Sequence, residues 1–381
     1  MPWREHTTMS ERIEFIQLAK QASLPFAELC RRFGISRKTG YKWLARARDG
    51  QTLADQSRRP LQSPAQTPAD LEAKVVALRQ RYPLWGGRKI AALLARAGEQ
   101  DVPAPSTITH ILRRHGLLHD RTSGEGGRYQ RFEHEAPNHL WQMDFKGDFA
   151  LARGRCYPLT VLDDHSRFNV VLQARSNMQA DSVRTALIAA FERYGLPVRM
   201  NMDNGSPWGS PSAPGQSLSQ LSIWLIRLGI AVSFSRPAHP QTNGKDERFH
   251  RTLKAELLQR EVIRDLNHAQ RLFDDWRSCY NTVRPHDSLD LAVPASRYRP
   301  SERPYPAALP PIEYAAGDEV CYVGWNGEMK WRGRKFKVSN ALKDLPVAIR
   351  QQEDGSYHAF FCHYHMGKVD RKLGTIQRQK L

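Results

Sequence analysis

A change of texture at residue 137 constrains this chain more than any other feature. From there WQMDFKGDFA, CYPLTVLDDHS and FNVVLQARS read as three successive strands, rich in Val, Leu, Phe and Tyr. A helix follows in DSVRTALIAAFERYG, then a short strand in PVRMNMD. SPWGSPSAPGQS is a Gly/Pro/Ser loop, and LSIWLIRLGIAVSFS continues as a helix and a short strand. Three strands, a helix, a strand and further helices require a mixed α/β core, neither all-β nor all-α.

The flanks follow other periods. In 11–48, ERIEFIQLAKQA places Ile13, Phe15, Ile16 and Ala19 along one broad side, and PFAELCRRFGI adds Phe26, Leu29, Cys30 and Phe33. Gly34 stands where a helix C-cap belongs, and Ser36 is a good N-cap for SRKTGYKWLARAR. Two short helices, a Gly-containing turn and a basic third helix form a helix-turn-helix pattern. Arg37, Lys38, Thr39 and Lys42 would line the first turns of its recognition helix, with Tyr41 and Trp43–Leu44 as inner and flanking contacts. The plainer alternative is a three-helix bundle with a charged solvent face.

A second helical unit reads from LEAKVVALRQRY, GRKIAALLARAG and STITHILRRHGL, with Gly98 and Gly116 as stops and Ser106 as cap of the last helix. Reading DNA and packing or dimerising are equally open to it. After residue 317, short β-prone runs alternate with turn signals at Trp325-Asn326-Gly327 and Glu353-Asp354-Gly355, predicting a small separate β-barrel or sheet. The expected organisation is multidomain, α + α/β + β. It comprises a helix-turn-helix domain at 1–50, a linker at 51–68, a second helical domain at 69–118 and a linker at 119–136. An α/β core at 137–300 and a β-rich domain at 301–381 complete it.

Formal charge is +18, divided as +9, +5 and +4 among 1–136, 137–300 and 301–381. A surface that is positive throughout suits a long polyanion such as double-stranded DNA. The five cysteines are far apart and include no C-x-x-C pair, so neither a disulfide framework nor a zinc module is indicated. Cys362-His363-Tyr364-His365 is metal-like in composition, but strand alternation would split its ligands between two faces. With no apolar run of membrane-spanning length, the expectation is a soluble protein of a reducing, cytoplasmic compartment without a membrane partner.

Three carboxylates have distinctive settings. Asp144 lies in an apolar strand-like run, Asp203 at a strand end beside an Asn-Gly turn, and Glu247 on the first turn of a helix. Carboxylates gathered from such elements repel one another unless a cation lies between them. Hard oxygen ligands partly open to water are what Mg²⁺ selects, and two such ions can activate an attacking oxygen and stabilise a leaving one in phosphodiester chemistry. On the third element, Phe249, Leu253 and Leu257 form an apolar stripe, while Glu247, Arg251 and Lys254 share a different face. That face suits a metal ligand followed by phosphate contacts, or only a surface salt-bridge row. Asp163 and Asp164 read as structural, and Asp148 and Asp246 as solvated.

At these residues the chain resembles a known family. WQMDF, LDDHSRF, DNGS, HPQTNGKDERFHRTLK and YNTVRPHDSL, with Pro294, are similar to the integrase core of bacterial insertion-sequence transposases, shared with retroviral integrases. The resemblance covers about 137–300 and implies an RNase H-like fold, with helix-turn-helix units before the core and a small β-domain after it. It implies that Asp144, Asp203 and Glu247 are the catalytic Asp-Asp-Glu set holding two Mg²⁺ ions, with Mn²⁺ as substitute. Arg251 and Lys254 match positions that contact the DNA backbone near the cut. The implied activity is cleavage at the 3′ ends of a mobile element bound at its terminal inverted repeats. Joining of those ends to target DNA would follow, carried out by a homo-oligomer. The 43 residues between Asp203 and Glu247 exceed the family's usual interval, and the loop at 205–216 accounts for the excess. A catalytically silent DNA-binding regulator is the alternative.

Overall fold

A computed structural model describes residues 7–56, 66–118, 133–203, 205, 207–208, 218–234 and 244–377. The expected linker at 119–136 and loop at 205–216 fall largely outside them, as does the middle of 51–68. Residues Met1–Pro68 and Ala69–Leu381 form two compact units. Among the described residues no helix is long and apolar enough to cross a membrane.

The first unit consists of α1 (Thr8–Gln21), α2 (Phe26–Arg32) and α3 (Arg37–Arg48). Thr7 and Ser10 cap α1 reciprocally. Gly34, at φ +60°, lets the Gly34 and Ile35 amides donate back to Arg31 and Cys30, which ends α2. The Ser36 hydroxyl accepts from the Thr39 amide and starts α3. Phe15, Ile16, Leu29, Cys30 and Trp43 form the core, whereas Ile13 is largely exposed, contrary to the sequence expectation. One helix face cannot hold Ile13 together with Phe15 and Ile16 when only two short helices are available to cover it.

The second unit opens with α4 (Ala69–Arg81), α5 (Gly87–Arg96) and α6 (Pro105–Arg114), packed around Leu71, Val75, Ile90, Leu94, Ile108, Ile111 and Leu112. Ser106 does not cap α6. The helix starts one residue earlier, with Pro105 in the first turn, where its missing N–H leaves no bond unmade. This bundle docks on the α/β domain that follows. Arg88 pairs with Asp287 at 2.8 Å, Arg96 donates to the Val283 and Leu291 carbonyls, and the Trp85 indole donates to Glu256 at 3.2 Å.

The α/β domain contains β1 (Leu140–Phe145), β2 (Phe149–Ala150), β3 (Arg155–Asp163), β4 (Asn169–Arg175), α7 (Ala180–Tyr194), β5 (Arg199–Met202), α8 (Gln220–Arg227) and β6 (Ala231–Phe234). It closes with α9 (Gly244–Leu253), α10 (Leu266–Thr282) and the short α11 (Pro294–Arg297). The first strand-like run is split at Gly147, where φ is +84°. β4, β3 and β1 pair antiparallel, and β1, β5 and β6 pair parallel, so the path reads β4-β3-β1-β5-β6, with β2 on the edge of β3.

Strand alternation sorts the side chains. Trp141, Met143, Leu159, Val161, Met200 and Met202 face α7 and α8. Cys156, Leu162 and Leu172 face the opposite side, against Phe249, Leu253 and Phe273 of α9 and α10.

The C-terminal region has β7 (Glu319–Tyr322), β8 (Glu328–Trp331), β9 (Arg334–Lys337), β10 (Pro346–Gln351), β11 (Tyr357–Phe361), β12 (Tyr364–Asp370) and β13 (Thr375–Gln377). Its antiparallel sheet runs β13-β12-β11-β10-β7, with β8–β9 as a separate hairpin bridged to Val323 through Met329. The expected barrel is therefore, among the described residues, an open sheet plus a hairpin. Nor is it separate: Leu218, Ile223 and Ile226 at and within α8 share its apolar core with Val347, Phe361 and Phe336.

Candidate active site

Register brings the first two carboxylates together. β1 and β5 are parallel, with Gln142 opposite Asn201. Two residues on, along the same face, stand Asp144 and Asp203, the latter just past the end of β5. Neighbouring strands lie about 4.8 Å apart, so alternation and parallel pairing suffice to set these side chains beside one another, away from the α7–α8 layer. Asp144 is half-buried and Asp203 exposed.

The third carboxylate comes from α9, which β3 and β4 hold through Phe249 and Leu253. The same spacing extends backwards to Asp246, so the buried stripe is Asp246, Phe249, Leu253 and Leu257, and Glu247 lies beside it in the open. The start of α9 is pinned by Lys245, whose ammonium donates to Asp164 Oδ1 at 2.5 Å and to the Asp164 carbonyl at 3.1 Å. Asp164 also accepts from the His134 amide and the Gln142 side chain. Asp163 accepts from the Asn138 amide and from the Ser166 amide and hydroxyl. Both acids thus spend their oxygens on the fold.

The electrostatics record how near the three groups lie. Burial pushes the Asp144 carboxyl up to about 6, an amide bond from Phe145 opposes this, and the charges of Asp203 and Glu247 raise it further. Among the described residues no three His, Cys, Asp or Glu side chains converge tightly enough to hold an ion as they stand. A cation would have to draw the exposed Asp203 and Glu247 inward. The donor set itself, all carboxylate oxygen, suits a hard divalent ion.

Arg251 and Lys254 are exposed on α9 and just beyond it, as is Glu247. The α-helical spacing ends at Leu253, because Lys254–Leu258 form a single wider π turn. Lys254 lies near Lys146, whose pKa is lowered by burial and then by the Lys254 charge. Two cations thus stand just beyond Asp144.

Three departures from the sequence reading matter. Asp246, expected in solvent, is fully buried, because it continues the apolar stripe. Asp148 is exposed but ion-paired with Arg155. His250, which sequence reasoning passed over, packs under the site with Nε2 2.8 Å from the Thr160 hydroxyl. The i, i+3 spacing from Glu247 was the signal for it.

On α3, Arg37, Lys38 and Lys42 are exposed, with the Lys42 ammonium 4.8 Å from the centre of the Trp43 ring. Thr39 is half-buried, its hydroxyl 2.9 Å from Ser36. Tyr41 is exposed and leans on Phe26, while Trp43 belongs to the core.

The chain matches the integrase core domain family over 134–240 and again over 228–294. A helix-turn-helix domain matches 11–60, a homeodomain-like domain 39–112, and the C-terminal domain of IS481 family transposases 318–377. An uncharacterized 31.7 kDa protein of insertion element IS407 from Burkholderia multivorans is 29% identical over 230 residues, 59% of this chain and 79% of that protein. The transposase of insertion sequence element IS904 from Lactococcus lactis is 31% identical over 170 residues, 43% of this chain and 63% of that protein. Among solved structures, the HTLV-2 integrase catalytic core domain in complex with magnesium overlaps at a TM-score of 0.32 and 16% identity, covering 42% of this chain and 96% of that one. The chain thus carries a helix-turn-helix region before an integrase core and an IS481-type transposase domain after it, and is similar to proteins of bacterial insertion elements over most of that core.

Proposed function

We propose that Asp144, Asp203 and Glu247 are the catalytic carboxylates of a transposase that frees the 3′ ends of its element and joins them to target DNA. The observation that carries this reading is that the parallel register of β1 and β5 sets Asp144 beside Asp203, and that the charges of Asp203 and Glu247 both act on Asp144. The strand order β4-β3-β1-β5-β6, antiparallel then parallel, supports the RNase H-like reading of the core. Asp144, Asp203 and Glu247 would hold two Mg²⁺ ions, with Mn²⁺ as substitute. Bound there, divalent ions supply activation of the attacking oxygen and neutralisation of charge on the leaving oxygen.

The chemistry divides into two displacements. A water oxygen bonds to phosphorus at the element's end and the 3′ oxygen leaves as a hydroxyl. That hydroxyl then bonds to a target phosphorus and expels the target's own 3′ oxygen. Arg251 and Lys254 hold the phosphate backbone beside the carboxylates, with Lys146 close by. Arg37, Lys38, Thr39 and Lys42 face the terminal inverted repeats, while the β-rich region at 301–381 holds backbone without reading bases. Two ends must be joined in one event, so the working form on DNA is at least a dimer, acting in the cytoplasm of its host.

Labelled duplexes from the DNA flanking the gene, incubated with wild type or Glu247→Gln in Mg²⁺ or EDTA, test the proposal. Metal-dependent 3′-end cleavage and joining by wild type alone is expected. Tight binding with no metal-dependent product, even from a pre-cut end, would identify a silent regulator instead.

A further inference from the structure

Asp246 is fully buried, and neither carboxylate oxygen has a hydrogen-bond partner among the described residues. The Asp144 and Asp164 carboxylates both act on it. The adjacent Lys245 offers no relief, because its ammonium is committed to Asp164. His250 offers none either, being paired with Thr160 and held neutral by burial.

A sealed carboxyl group without donors is costly ionised, and when protonated it still leaves a donor and an acceptor unmet. The stripe position it fills is otherwise apolar, and Leu or Asn there would be easier to bury. Among the described residues two things are missing beside Asp246, hydrogen-bond donors and uncommitted positive charge. A hydrated divalent ion held by its neighbours supplies both, since Mg²⁺ keeps several of its waters when bound by few carboxylates.

We infer that Asp246, next to Glu247 on α9 and within reach of the Asp144 charge, is a fourth acidic group of the metal centre, a positioning residue that supports their divalent ion through its bound water. The inference rests on the divalent-ion reading of that site.

Mn²⁺ binding to the full chain, followed by electron paramagnetic resonance of the free ion together with thermal melts in EDTA, tests it. Asp246→Asn keeps the shape and removes the charge. It is expected to weaken Mn²⁺ binding about 10–100-fold, as loss of a supporting group around a metal does. In EDTA the same variant should melt at or above the wild-type temperature, which a purely structural role would not allow. Asp246→Ser serves as a second variant with the same expectation for Mn²⁺, and Asp148→Asn, at the Arg155-paired surface acid, should bind as wild type. Wild-type Mn²⁺ affinity in both Asp246 variants, alongside loss of binding in Asp144→Asn, would overturn the role of Asp246 and leave the metal site standing. Absence of Mn²⁺ binding by wild type would overturn the metal site and the inference with it.

Discussion

Thr160 and His250 tie the central sheet to the helix that carries Glu247. The Thr160 hydroxyl donates to the Asp144 carbonyl at 3.0 Å and lies 2.8 Å from His250 Nε2. A hydroxyl has one proton, so with that proton on Asp144 it accepts from His250, which fixes the imidazole with its proton on Nε2. One side chain of β3 thereby touches both the strand of Asp144 and the helix of Glu247.

Burial, and then Lys146, lower the His250 pKa to about 4 from 6.5. A lowered histidine contributes its full stability above pH 6.5 and loses it as pH falls towards 4. His250→Gln keeps a donor for Thr160 and cannot titrate. Chemical denaturation of the variant should therefore show a shallower loss of stability between pH 6.5 and 4, by about 3 kcal/mol at most. An unchanged slope would mean that His250 is solvated.

Asp144 has the opposite sign. Its folded pKa of about 6 lies above the ordinary 3.8, so its contribution is present below pH 3.8 and is lost as pH rises through 6. In EDTA, Asp144→Asn should gain stability over wild type on going from pH 4 to 7.5, by about 3 kcal/mol at most. Parallel pH profiles for the two proteins would show that the Asp144 carboxyl is not raised by its burial and its acidic neighbours.

In the Lys245–Asp164 pair the carboxylate is buried and the ammonium half-buried. Removing one partner leaves the other charge without its mate, so Lys245→Ala or Asp164→Ala should cost about 3–5 kcal/mol. Because the pair anchors the first turn of α9, strand joining should also fall in whatever fraction remains folded. Equal stability of either variant and wild type in urea titrations would refute the anchor.

Glycine is required at two helix contacts. A Cβ at Gly87 would stand 2.3 Å from the Pro105 carbonyl oxygen, which is backbone and cannot step aside. At Gly40 it would meet Cys30 Sγ at 2.8 Å and the Phe26 ring at 2.9 Å, both side chains with some room to shift. Gly40→Ala should cost about 1–3 kcal/mol and Gly87→Ala at least as much, read from thermal melts.

On α3, alanine at Arg37, Lys38 or Lys42 should each lower the salt dependence of DNA binding by about one phosphate contact. Fluorescence anisotropy across a salt series measures that slope, and no change for any of the three would place DNA on another face.

Much of the local structure is legible in the chain itself. The apolar period of 2 in β1 and β3, the helical period in α4 to α9 and the Ser36 cap are properties of neighbouring residues, so short windows reveal them. The chain also marks Asp144, Asp203 and Glu247 as candidates by type and setting. What brings Asp144 beside Asp203 is the parallel pairing of β1 with β5, a long-range choice that no window contains. The same holds for the docking of the α4–α6 bundle beside α10 and for the core that α8 shares with the C-terminal sheet. Asp246 lies between the two cases. Its place on the stripe with Phe249 and Leu253 was readable, but only packing against the sheet buried it, because burial depends on what covers a face as well as on the face itself.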